Sequence, residues 1–225
     1  IQTHLFEDRV MKADYLRIGR GASVGNMAVV LYDTEIKRGA SLGQFSLLLK
    51  GERLPADRRW AGIAAFNRPM FVHQLASEWV PAVPEVEALL RAPGARVADM
   101  GCGQGWSSVA MALGHPGVRV DGLDSDIASV EAARALAADR GVADRVRFFA
   151  HDVSEELGGR YDLVTIFEAL HDMGRPVEVL RTARALLVPG GAVLIGDERV
   201  AEAFAPGQEQ DRLFYGYSTV ACLPN

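Results

Sequence analysis

Three glycines at alternate positions, Gly101, Gly103 and Gly105, follow the apolar run Arg96–Met100 and lead straight into the helical pattern Trp106–Leu113. No other feature of the chain restricts its fold as much. A buried strand that turns at once into a helix needs residues without a side chain where the backbone bends tightly or approaches a ligand. The first turn of the helix then offers unpaired N–H groups to polar ligand atoms. A glycine-rich turn alone is weak evidence, because nicotinamide- and flavin-binding chains share it. Here the spacing is Gly-x-Gly-x-Gly rather than Gly-x-Gly-x-x-Gly, and an acid, Asp99, stands two residues before the first glycine.

Beyond this helix the chain alternates strand and helix. The run "VRVDGLD" reads as a second strand ending at Asp124, where a carboxylate can accept hydrogen bonds from both hydroxyls of a ribose. A helix is expected over Asp126–Arg140, with Asp126 as its cap and Gly141 as its stop. Its inward residues are expected to be Ile127, Val130, Ala133, Leu136 and Ala137. Val146–Ala150 is the third strand, followed by His151-Asp152-Val153. "YDLVTIF" is the fourth, with Asp162 assigned to the turn that enters it. Gly174–Pro176 opens a helix that buries Val179, Leu180, Ala183, Leu186 and Leu187. Pro189-Gly190-Gly191 precedes a fifth strand, Ala192–Gly196. This alternation predicts an α/β fold with a doubly wound parallel sheet. His115, before Pro116, is expected in a surface turn.

Upstream the period changes. Apolar residues recur every six positions, at Ile18, Val24, Val30, Ile36, Leu42, Leu48 and Leu54, with a small or apolar residue four places after most of them, at Ala22, Ala28, Thr34, Ala40 and Ser46. That period fits neither a helix nor an alternating strand. It is the pattern of a hexapeptide solenoid, in which three short strands and three turns close one triangular coil and the apolar residue points inward. Between the two patterns, Met70–Val80 has helical spacing (Phe71, Val72, Leu75, Trp79, Val80) ended by Pro81, and Pro84 opens a second helix through Arg91. The chain therefore divides into residues 1–64 and residues 65–225.

Composition narrows the function. The net charge of −5 over 225 residues favours neither nucleic acid nor an anionic membrane as partner. The charge is uneven: residues 1–66 carry ten Lys/Arg against seven Asp/Glu, and the remainder fourteen against 22. The two cysteines, Cys102 and Cys222, have no metal-ligand spacing, so no metal site and a reduced, cytoplasmic protein are expected. No run reaches the roughly 18 apolar residues of a membrane span.

From about Phe66 onward the chain resembles bacterial class I S-adenosylmethionine (SAM)-dependent methyltransferases. The runs that carry the resemblance are "FNRPMFVHQLASEWVPAVPEV", "VADMGCGQGWSSVAMA", "YDLVTIFEALHDMGRPVEVLR" and "VLIGDERVAE". It implies a Rossmann-like core and SAM as methyl donor, held by Gly101, Gly103 and Gly105. Asp124 would bind the ribose, and Asp152 with Val153 the adenine. Asp99 would orient the loop or contact the methionine amino group. Phe167 and Glu168 would face the positive sulfur. His171-Asp172 resembles the His-Asp pair of small-molecule O-methyltransferases, whose histidine is the base, and Asp197 stands where a second acid could orient it. The alternatives are a His171 that packs in its loop and an Asp197 that caps a helix.

Residues 4–64 resemble a left-handed parallel β-helix of hexapeptide repeats, as in the C-terminal part of nonribosomal-peptide-synthetase-like proteins. The runs are "HLFEDRVMKADYLRIGRGASVGNMAVVLYDTEI" and "LLLKGERLPADRRWAGI", in which Trp60-Ala61-Gly62-Ile63 matches the closing cap. This segment stands where the methyltransferase group often has a winged-helix region. The two strands that the group carries after its fifth have no counterpart after Asp197, which leaves an exposed apolar edge. A chain truncated at both ends is therefore expected. Three functions are open on this reading, with a nicotinamide dehydrogenase a distant fourth that the glycine spacing disfavours. The first is a methyltransferase for a small-molecule acceptor, at oxygen. The second is a non-catalytic SAM-fold scaffold module. The third is a hexapeptide acyltransferase, disfavoured because His4 precedes the repeats. A second copy of the chain could pair through the β-helix segment or the open sheet edge.

Overall fold

The computed structural model describes residues 4–7, 10–25, 28–43, 46–48, 50–60, 67–200, 203, 205 and 207–217. The expected cap residues 61–63 and Cys222 lie outside them.

The N-terminal segment opens with an antiparallel pair, β1 (His4–Glu7) and β2 (Val10–Ala13). Eight very short strands follow: β3 (Leu16–Ile18), β4 (Ser23–Val24), β5 (Val29–Val30), β6 (Thr34–Ile36), β7 (Ser41–Leu42), β8 (Leu47–Leu48), β9 (Arg53–Leu54) and β10 (Arg59–Trp60). They form three parallel sheets, ordered β3-β6-β9, β10-β7-β4 and β5-β8. Within these sheets the paired residues stand 18 positions apart, as in Ile18↔Ile36, Val24↔Leu42 and Val30↔Leu48. Val30, Ile36, Leu42, Leu48 and Leu54 make one buried cluster across the three sheets. Ile18, expected inside, is 46% exposed, because no described strand precedes β3 in its sheet. The turns repeat with the same interval: Gly21, Gly39 and Asp57 all take positive φ, as do Asp33 and Gly51. Aspartate tolerates that conformation better than most side chains.

The second part contains β11 (Arg96–Met100), β12 (Arg119–Asp124), β13 (Val146–Ala150), β14 (Tyr161–Phe167) and β15 (Leu187–Gly196). All pairings are parallel, in the order β13-β12-β11-β14-β15. Successive side chains serve opposite faces. Val97, Val120, Phe148, Leu163 and Phe167 join one core, and Ala98, Met100, Val164 and Ile166 the other. β15 starts earlier than expected, passing through Pro189-Gly190-Gly191 with a register shift opposite Tyr161 and Leu163. An edge strand accepts this interruption, since proline there breaks no ladder bond and Gly190 supplies the positive φ.

The first core is covered by α1 (Phe71–Trp79), α2 (Pro84–Arg91), α3 (Trp106–Gly114) and α4 (Ile127–Asp139). The second is covered by α5 (Pro176–Ala185). α6 (Glu209–Tyr217) comes later in the chain. α1 is wound widely, with the Val80 N–H reaching back five residues to the Leu75 carbonyl. The wide turn aligns Phe71, Leu75 and Val80 inward and puts Val72, expected inside, at the surface. Ile127 and Leu180 are likewise exposed. Ile127 sits in the first turn of α4, and Leu180 lies one position around the helix from the buried Val179 and Ala183. His115 is not in an exposed turn: it is buried, with Nε2 3.0 Å from Glu87 Oε2 on α2. Asp162 ties two strand entrances together by accepting the Arg96 N–H at 2.8 Å. Among the described residues no helix is long and apolar enough to cross a membrane.

Candidate cofactor cleft and histidine–aspartate pair

The C-terminal ends of β11, β12 and β14 converge on a cleft of about 390 Å³. Such a crevice at the strand ends is where an open α/β sheet binds ligands. Gly101, Asp124, Asp152, Val153, Glu168 and Arg175 are among the residues that line it.

The glycine turn is held from two sides. Gly101 and Cys102 donate backbone hydrogen bonds to the Leu123 carbonyl at 2.8 and 3.1 Å. Gly103 donates its N–H to Asp124 Oδ2 at 2.8 Å. Gly105 has φ +81°, and a Cβ there would stand 2.6 Å from the Phe148 ring. Glycine is therefore required at that position on both conformational and packing grounds. Asp124 Oδ1 also accepts the Asp126 N–H at 2.9 Å. Each oxygen keeps a lone pair, so the carboxylate can still accept from a ligand.

Asp99 does not line the cleft. It is 1% exposed and accepts from Ser107 and Ser108 at 2.6 Å and from Thr165 at 2.8 Å. Burial raises its pKa and the three hydroxyls oppose that. Of the two roles open to it, the geometry displays orientation, with the start of α3 fastened to β14. Asp152 is an exposed carboxylate whose Oδ1 accepts the Ser154 N–H at 2.9 Å, and its bonds to Ser154 hold its pKa low. Phe167 turns away from the cleft. Its ring packs on Phe71 and Trp79 at 5.9 and 6.4 Å, because the last residue of β14 alternates onto the α1 face. Gly103 and Gly105 are not among the lining residues either.

Glu168 and His171 come just after β14. Glu168 has a positive φ of 50°, uncommon for a residue with a side chain. Its pKa is pushed up to about 7, first by burial and then by Glu198 and Asp197, and its carboxyl group is hydrogen-bonded to Glu198. His171 lies in a single helical turn, Leu170–Asp172. Its Nδ1 is 2.5 Å from Asp197 Oδ1, and its Nε2 is 3.4 Å from Asp172 Oδ2. Partial burial disfavours its charged form, but the Asp197 bond and the fields of Asp172, Asp197 and Glu168 outweigh it, so its pKa is raised. The two residues singled out as a possible base and its orienter are thus in contact. Among the described residues no group of His, Cys, Asp and Glu could hold a metal ion.

Sequence reasoning missed several lining residues: Ser125, Ala169, Met173 and Arg175. They lie in loops without periodicity. Glu198 carried a usable signal, as an acid beside Asp197 just past β15.

Residues 92–222, more than half of the chain, match the methyltransferase domain family. The chain belongs to that family. Methyltransferase domains of this family use SAM. The chain is 38% identical over 141 residues to a ubiquinone biosynthesis O-methyltransferase of Pseudomonas aeruginosa (strain UCBPP-PA14), covering 62% of this chain and 57% of that protein. The methyltransferase-domain chain thus spans little more than half the length of that relative. Over 64 residues, 28% of this chain, it is 41% identical to the delta-poly-L-ornithine synthetase of Acinetobacter baumannii (strain AB307-0294), covering 5% of that protein. Among solved structures, mitomycin 7-O-methyltransferase superposes with a TM-score of 0.56 at 23% identity, over 71% of this chain and 43% of that one. That likeness shows the fold alone.

Proposed function

We propose that residues 65–225 act as a SAM-dependent methyltransferase on a hydroxyl group of a small molecule. The observation that carries this reading is the contact between His171 and Asp197 beside the cleft that begins at Gly101 and Asp124. The named activity of the Pseudomonas relative, an O-methyltransferase, supports oxygen as the acceptor atom.

The cleft suits the donor. Asp124 can accept from ribose hydroxyls while still holding Gly103, Asp152 and Val153 stand where adenine is expected, and Glu168 offers a carboxylate to a cation. When bound, SAM supplies a methyl carbon on a positively charged sulfur, open to displacement by a nucleophile. The chain's own work is then alignment and proton removal. With Nδ1–H donating to Asp197, His171 keeps its Nε2 lone pair free, and that atom takes the proton of the acceptor hydroxyl. Asp197 holds the ring orientation and balances the imidazolium. Glu168 contributes most once it has lost its own proton.

For the N-terminal segment, the 18-residue register and the common buried cluster support a short left-handed β-helix of hexapeptide repeats. We assign it no acyltransferase activity.

The test is calorimetric titration with SAM, followed by a methyl-transfer screen over phenols, catechols and alcohols. Micromolar SAM binding and methyl ether formation are expected. His171→Ala should lower kcat by about 10²–10⁴ with SAM affinity unchanged. Absence of SAM binding would refute the assignment. SAM binding without transfer to any acceptor would favour a non-catalytic SAM-fold module.

A further inference from the structure

We propose that Arg68 is a positioning residue for the glycine loop, through which the N-terminal segment sets the affinity for the methyl donor. This rests on the methyltransferase reading. Arg68 enters the helical stretch that leads into α1. Its Nη1 is 2.7 Å from Glu52 Oε1, in the turn just before β9, and the two side chains are 10% and 9% exposed. Burial, aided by the nearby Arg140, holds the guanidinium's pKa below its ordinary value, and Glu52 offsets only part of that.

The same guanidinium stands 4.8 Å from the centroid of the Trp106 ring, with that of Arg140 at 5.4 Å. Trp106 is the first residue of α3 and directly follows Gly105. The start of α3 cannot shift without moving Gly105, which is wedged against Phe148 and Ala133. Nor can it shift without disturbing Ser107 and Ser108 on Asp99. The contacts therefore run from Glu52 through Arg68 and Trp106 to the loop that Asp124 holds at Gly103.

Beside them lies a gap of about 300 Å³, with Pro55, Asp57 and Arg58 on one side and Gln104 and Trp106 on the other. The back of the glycine loop is thus not packed solid on this side, and the stacking of Arg68 on Trp106 is one of the few contacts that reach it from there. A buried ion pair adds little net stability over an apolar replacement, so its contribution here is geometric. Coupling is reciprocal: if docking of the N-terminal segment tightens SAM binding, SAM binding tightens the docking.

The experiment uses the full chain. SAM affinity is measured by calorimetry, and amide hydrogen exchange over residues 34–54 is followed with and without SAM. In the native protein SAM should slow that exchange. Arg68→Met should weaken SAM binding about tenfold and abolish the protection, while Arg68→Lys should restore part of both. Because Arg68→Met leaves Glu52 buried without its cation, the double variant Glu52→Gln/Arg68→Met is tested beside it, with folding checked by thermal melts. It should show the same loss of affinity and of protection. Native SAM affinity in the folded double variant overturns the proposal. So does SAM binding by the native protein that leaves exchange over residues 34–54 unchanged. No SAM binding by the native protein overturns the methyltransferase reading, and this inference with it.

Discussion

The two parts of the chain reach buried cores by opposite routes. In the N-terminal segment, after the antiparallel β1–β2 pair, every parallel pairing spans 18 residues, and two- or three-residue strands suffice. In the methyltransferase domain β11 pairs with β14 across a much longer stretch of chain, Val97 opposite Leu163, and the strands are buried on both faces. The first arrangement repeats one local solution. The second closes only when distant residues meet, so its individual positions are less replaceable.

Gly39 and Gly105 sharpen that contrast most. Both have positive φ, +67° and +81°. An added Cβ at Gly39 meets the side chain of Asp57, which is exposed and can move, whereas at Gly105 it meets the Phe148 ring and Ala133 in the core. Gly105→Ala should cost about 3–5 kcal/mol, conformational strain plus overpacking, and weaken SAM binding. Gly39→Ala should cost about 1–2 kcal/mol, the strain alone, with SAM affinity intact. Denaturant unfolding of both variants checks this, and equal losses would break the comparison.

A smaller contrast lies in two buried threonines. Thr34 donates to the Leu31 carbonyl at 2.7 Å, and Thr165 to the buried Asp99 carboxylate at 2.8 Å. Thr34→Val should cost about 0.5–1.5 kcal/mol, and Thr165→Val about 1–3 kcal/mol because it leaves an oxygen of the buried Asp99 carboxyl without its donor. Thermal melts should rank them in that order.

Titration separates the regions with the mildest changes. Arg38 and Asp57 form an exposed pair at 3.9 Å, so Asp57→Asn should move Tm by less than about 2 °C. His171 and Glu168 behave differently. His171 takes a proton only in its neutral form, and its pKa is raised, so activity should climb with pH along a limb above the ordinary histidine value of 6.5. Asp197→Asn removes the strongest raising contact and should move that limb to lower pH while reducing the plateau. Glu168, raised to about 7 from 4.5, binds its proton more tightly in the folded state. Its ionisation therefore lowers stability as pH rises through that window. Glu168→Gln should match the native Tm near pH 4 and exceed it at pH 8.

Much of the fold was legible in the residues. The glycine turn, all five strand ends toward the cleft and the Asp126 cap arise from local pattern, because turn conformation and apolar periodicity are local constraints. Of the cleft, Asp124, Asp152, Val153 and Glu168 were readable as carboxylates or neighbours at strand ends. Met173 and Arg175 were not, because their loop carries no period. His115 misled for a related reason: His-Pro-Gly looks like a surface turn, and only Glu87 on α2 explains its burial.

Asp99 and Asp124 mark the boundary between the two kinds of information. By itself the sequence determined that each acid sits near the end of a strand beside the glycine turn, and that a six-residue period precedes the domain. Tertiary structure alone decided that Asp99 does not line the cleft. Thr165, on another strand, and the two serines of α3 close over Asp99, while Asp124 reaches Gly103 and the open cleft. The physical reason is that a carboxylate's role depends on which donors surround it, and those donors arrive from distant parts of the chain.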